Sequence, residues 1–231
     1  MNFTIYRSKN TIEKRRKSYL SELHKNLTHE KEQVEIKHLI VEKSNTTKSY
    51  NSEDEITIAM CTQPHRKEQM LNVVKQLLPQ CSRFCICFNN YDKIPEELPK
   101  SDKLICILAG GNNPVKDLGC LNKMYWCGDY DGYYATVDDD LDYPSNYIEE
   151  LKKKVDFYNK KCVCSLHGRR FEVKNGLINT DKVESFAYYR EHDKDELCHI
   201  VGMGVSMFVP KTLGLSKHVF LKYPLIITRI L

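Results

Sequence analysis

The chain contains no Cys-x2-Cys pair, no glycine in the turn after its first apolar strand, and no long unbroken apolar run. The first absence removes the usual zinc spacing, although there are ten cysteines. The second argues against a sugar nucleotidyltransferase. That class needs a glycine-rich phosphate loop where this chain has Cys61-Thr62-Gln63-Pro64. The third leaves no transmembrane helix, which needs about 18 consecutive apolar residues. The opening MNFTIYRSKN has no apolar core of a secretory signal, so a cytoplasmic location is expected, free or at the inner face of the membrane. Reduced thiols follow, packed as small apolar residues.

What is present is a 231-residue chain with 41% apolar and 29% charged residues, an ordinary balance for a globular protein with a real core. Its charge is uneven. Residues 1–50 hold 11 Lys/Arg against 6 Glu, a net +5, and the remainder holds 24 against 25, a net −1. The basic excess therefore belongs to an N-terminal extension, which reads as a solvated helix face or as a contact for anionic lipid or an acidic partner. Within it, 11–43 has polar helical character, with Leu20, Leu27, Val34 and Val41 recurring every seven residues but too thin a seam for a coiled coil. A polar linker, 44–55, leads into the domain, expected over 55–231.

From Ile56 onward, apolar strands and amphipathic helices alternate. Strands are expected at 56–61, 83–88, 104–108, 132–137 and 161–168. Helices are expected at 65–78, at 117–127 and after Pro144. This is an α/β pattern, a mixed and mostly parallel sheet with helices on both faces. Cys85 and Cys87, like Cys162 and Cys164, are two apart in a strand and so share a face. Trp126, the single tryptophan, reads as core. Ligands of such sheets lie beyond the C-terminal strand ends. Thr62, Asn89, Asn90 and Asp138 all fall there.

Asp138-Asp139-Asp140 follows the fourth strand directly. Three adjacent carboxylates repel unless a cation neutralises them. Hard divalent cations take oxygen ligands, and Mg²⁺ commonly shares one or two carboxylates with substrate phosphates. Three other readings compete. Asp138, Asp140, Asp142 and Glu149 match part of an EF-hand spacing, but Tyr143 stands where that loop needs glycine. Acids before Pro144 suit a helix N-terminus, which accounts for Asp142 but not for three acids in a row. A plain solvated turn is the third.

The motifs IAMCTQPHRKEQM, FNNYDKIPEEL, KDLGCLNKMYWC, GYYATVDDDLDYPSNYIEEL and HIVGMGVSMF, in that order, span Ile56 to about Pro210. This run resembles bacterial capsule glycosyltransferases of the heparosan/K5 type, family 2-like N-acetylglucosaminyltransferases, and more distantly the exostosin-like transferases. The resemblance implies a GT-A fold, a Mn²⁺ or Mg²⁺ cofactor, a UDP-sugar donor (UDP-N-acetylglucosamine first) and a polysaccharide or glycan acceptor. It implies no nucleic-acid partner, and allows a place at the membrane periphery or in a synthase complex. Thr62, Arg66, Asn89, Asn90, Lys123, Asp138 and Asp139 would bind the nucleotide-sugar, and Asp138 and Asp140 the metal. Asp142, His199, Gly202 and Gly204 would lie on the acceptor or sugar side, and Tyr188-Tyr189-Arg190 is a further candidate for sugar contact. Relatives of this type retain the anomeric configuration, so no general base is assigned. They also continue past GMGVSMF with an acidic segment, whereas this chain reads FLKYPLIITRIL. The expectation is an intact donor half, a shortened acceptor half and weak or absent transfer. The alternative is an inactive donor-binding partner of a polysaccharide synthase.

Overall fold

Successive residues of the central strands fall alternately into two apolar clusters, one on each face of the sheet. The computed structural model describes residues 53–174, 177–188 and 194–222. The proposed extension and most of the tail lie outside them. Strand β1 (Ile56–Thr62) pairs in parallel with β2 (Arg83–Asn89) and with β4 (Tyr133–Val137), and β2 pairs in parallel with β3 (Leu104–Ala109). Two further strands complete the sheet, β5 (Cys164–Ser165) and β9 (Val205–Phe208). The order is β3-β2-β1-β4-β9-β5, with β9 antiparallel to both neighbours. The protein is thus α/β with a six-stranded, mixed, mostly parallel sheet.

On one face Ile58, Met60, Phe84, Ile86, Phe88, Ala135 and Val137 meet two helices. Helix α1 (Lys67–Leu77) supplies Met70, Val73, Val74 and Leu77, and gives way at Pro79 to a 3-10 turn, Leu78–Gln80. Helix α2 (Tyr147–Phe157) supplies Tyr147, Ile148, Leu151 and Val155, and carries Glu149 and Glu150 in its first turn, where the helix dipole favours acids. On the other face Ala59, Cys85, Cys87 and Tyr134 pack with Leu121, Met124, Trp126 and Cys127. Two short C-terminal helices, α3 (Pro210–Leu213) and α4 (Lys217–Lys222), add Leu213 and Phe220 to this cluster.

Two expected elements differ. The helix expected at 117–127 is only a 3-10 turn, Gly119–Met124. Gly119 takes a positive φ, and Asp117 Oδ1 accepts its N–H at 2.8 Å, so a turn wins over continued helix. The strand expected at 161–168 divides. Cys164–Ser165 stays in the main sheet, while Gly168 opens β6 (Gly168–Lys174) of a second sheet. That sheet has the order β7-β6-β8, with β7 at Leu177–Phe186 and β8 at Ile200–Val201. Lys174 faces Leu177 across the β6–β7 hairpin. The intervening Asn175-Gly176 is a hairpin signal the strand reading passed over.

Candidate functional site at the strand ends

Four parallel strands end side by side, at Thr62, Asn89, Ala109 and Val137, and the residues just beyond them converge. The three aspartates point to different partners. Asp138, following β4, forms an ion pair with Lys123, and Lys123 Nζ also reaches Met203 O at 3.5 Å. Lys123 is 2% exposed. Burial pulls its ammonium pKa down, but the Asp138 charge and hydrogen bond outweigh this and the net direction is upward. Asp139 and Asp140 instead share Arg66, whose Nη1 lies 2.9 Å from Asp139 Oδ1 and 2.8 Å from Asp140 Oδ2. The Asp139 hydrogen bond raises the Arg66 pKa further. The sequence demanded a neutralising cation, and the chain's own Arg66 and Lys123 answer in part. Three carboxylates against two cations leave one negative charge.

Gly204 and Tyr143 fix Asp138. Gly204 precedes β9, and a Cβ there would overlap the Asp138 carboxylate. Its carbonyl accepts the Asp138 N–H at 3.1 Å and the buried Tyr143 hydroxyl at 2.8 Å. The Tyr143 oxygen in turn accepts the Asp138 N–H at 2.8 Å. The loop after the aspartates is held to α1. Asp142 Oδ1 accepts from Asn72 at 3.1 Å and from Gln76 at 3.2 Å, and Gln76 Oε1 accepts the Tyr143 N–H at 2.9 Å. Gln80 donates to Pro144 O at 2.9 Å and accepts from Ile148 N at 3.1 Å. Asp142 is therefore an anchor between the loop and α1.

The residues expected on the nucleoside side sit as follows. Thr62 is buried and its Oγ1 has no hydrogen-bond partner. Tyr91 donates to Gln63 O at 2.9 Å. Asn89 is buried and fully engaged: its amide donates to Gly119 O at 3.1 Å, and its oxygen accepts from Asn122 at 2.8 Å and from the Cys87 thiol at 3.3 Å. It positions the turn that carries Lys123. Asn90 is exposed at φ 59°, a left-handed conformation asparagine tolerates, and donates to Asp117 at 2.5 Å. A shallow cleft of about 550 Å³ opens between Lys67, Tyr91, Lys93, Pro95, Glu96 and Glu97. It adjoins the Arg66 turn through Lys67 but contains none of the aspartates.

His199 immediately precedes β8 of the second sheet. Its Nδ1 accepts the Phe171 N–H at 3.0 Å, and its own N–H bonds Arg169 O at 2.9 Å. Gly202 packs against His167, which a Cβ would crowd at 3.0 Å. The sequence reading gave no structural role to Tyr143, Gln76 or Gln80, which act through long-range contacts no local motif marks. Tyr188 is 49% exposed, and Tyr189 and Arg190 lie outside the described residues.

Among the described residues no three His, Cys, Asp or Glu side chains form a group able to hold a metal by themselves. The donor set fits a different arrangement, a hard cation on one or two carboxylates completed by phosphate oxygens. Asp139 is 4% exposed and its Oδ2 has no hydrogen-bond partner. Buried carboxylate oxygens are rarely left so. Asp140, beside it, is exposed. Compared with known proteins, the chain matches no family model and no curated protein.

Proposed function

We propose that this chain is a GT-A-like, metal-dependent glycosyltransferase. It binds a UDP-sugar, with UDP-N-acetylglucosamine first among donors, and passes the sugar to a hydroxyl of a surface or capsule polysaccharide. One observation carries the reading. Arg66, Lys123 and the three aspartates meet at the C-terminal edge of four parallel strands, where such sheets bind nucleotides. Asp138, expected as a metal ligand with Asp140, is paired with Lys123; Asp139 and Asp140 would instead hold Mn²⁺ or Mg²⁺, which when bound neutralises the leaving diphosphate as a Lewis acid. Arg66 and Lys123 add fixed positive charge where the leaving group gains negative charge, the form of catalysis that needs least rearrangement. Arginine suits phosphate because its planar fork makes paired, charge-assisted bonds. Asp138 orients Lys123, and Gly204 lets β9 approach Asp138 closely.

The test is calorimetry of UDP binding. Affinity should rise with Mn²⁺ or Mg²⁺, and Asp140→Ala should lower it by about tenfold or more, the loss of a charged interaction of about 1.4 kcal/mol. Equal binding in the presence of a chelator would remove the metal-dependent reading.

A further inference from the structure

Arg66 occupies both carboxylates that the proposed site offers to a cation. One nitrogen, Nη1, bonds Asp139 Oδ1 at 2.9 Å and Asp140 Oδ2 at 2.8 Å. A divalent ion on those oxygens would stand about 2.1 Å from them, directly against a guanidinium that stays charged at every working pH. Two cations cannot share those two oxygens, so an ion reaches them only as Arg66 leaves. The side chains differ in burial: that of Arg66 is 41% exposed, whereas that of Asp139 is 5% exposed. Asp139 Oδ2 is an independent sign of an incomplete site, because it stays buried and unpartnered even with Arg66 in place. Lys123 is bound separately to Asp138 and is buried, so the exchange does not involve it.

Resting on the nucleotide-sugar reading above, we propose that the site takes its divalent cation only as a complex with a diphosphate, Arg66 being a resident counter-ion that the phosphates draw off Asp139 and Asp140. The complex supplies both halves of the exchange. Its cation replaces the guanidinium on the aspartates, and its phosphate oxygens receive the guanidinium. A free divalent ion supplies only the first half and leaves Arg66 without an anion.

The experiment is electron paramagnetic resonance titration of the full chain with Mn²⁺, with and without UDP, for the native protein, Arg66→Gln and Lys67→Gln. Lys67 is the neighbouring cation but pairs with Glu97 at 2.6 Å, so it controls for charge loss alone. In the native protein UDP should tighten Mn²⁺ by about tenfold or more, a usual size for coupled sites. In Arg66→Gln, Mn²⁺ alone should bind about tenfold tighter than to the native protein, and the gain from UDP should shrink to about threefold or less. Lys67→Gln should behave as the native protein. The proposal is overturned if Arg66→Gln leaves Mn²⁺-alone affinity unchanged, or if Lys67→Gln raises it equally. UDP binding by none of the proteins, with or without Mn²⁺, would remove the nucleotide reading itself and this inference with it. UDP–Mn²⁺ binding without the Arg66 effect would remove this inference alone.

Discussion

Lys123 shows how one buried charge constrains its surroundings. An ammonium 2% exposed is tolerated because Asp138 stands against it, and Asp138 keeps that position because residue 204 has no side chain. Gly204→Ala would drive a methyl into the carboxylate and push it off Lys123. Asp138 itself is 43% exposed, so water screens part of the loss. The expected cost is about 1–3 kcal/mol, read as a fall in Tm, with UDP affinity down about tenfold. An unchanged Tm and unchanged UDP binding would show that the glycine carries no such constraint. The cysteines make a contrasting case. Cys85 and Cys87 share a face, as their spacing required, and sit in the core with Trp126. Burial pushes the Cys87 thiol up to about 12, and those of Cys61 and Cys127 likewise to about 12, so they pack as neutral groups.

At the scale of the element, α1 has two roles. Its apolar stripe seals one face of the sheet, and its polar edge, continued by the following turn, grips the loop that carries the aspartates. The apolar stripe was legible, because Met70, Val74 and Leu77 recur at helical spacing. The grip was not, because Gln76 and Gln80 are unremarkable on a helix until their partners more than 60 residues away are known. Gln76→Ala removes the acceptor of the Tyr143 N–H and one donor to Asp142. A loss of about 1 kcal/mol in stability is expected from thermal melts. The metal-dependent part of UDP binding should fall more than stability does, since the loop that presents Asp138, Asp139 and Asp140 loses its tether. A stability loss with UDP binding intact would make Gln76 a packing residue only.

At the scale of the whole molecule, both apolar clusters of the described residues lie between Ile56 and Phe220. Among the described residues no helix is long and apolar enough to cross a membrane. Deleting residues 1–50 should therefore leave a domain with a cooperative melt and undiminished UDP affinity. An insoluble or molten product would place the domain boundary upstream. The second sheet stands outside these clusters, and Val173 and Val183 on its hairpin are about half exposed, at 50% and 47%.

Local pattern was enough for the parallel part of the sheet. Strands β1 to β4 are apolar runs broken by turn residues, and parallel pairing buries β1, β2 and β4 on both faces while the edge strand β3 stays half-buried, so each reads clearly by itself. The same pattern placed Thr62, Asn89 and Asp138 at one edge, since every parallel strand ends at that edge. The antiparallel additions needed the folded chain. β9 enters between β4 and β5 from about 40 or more residues away along the sequence, and a two-residue strand such as β5 has no periodicity to detect. The neutralisation of the aspartates was decided there too. Sequence establishes that three adjacent carboxylates require positive charge. Only tertiary structure brings Arg66 and Lys123, from two separate connections, within ion-pair distance and leaves one oxygen of Asp139 without a partner.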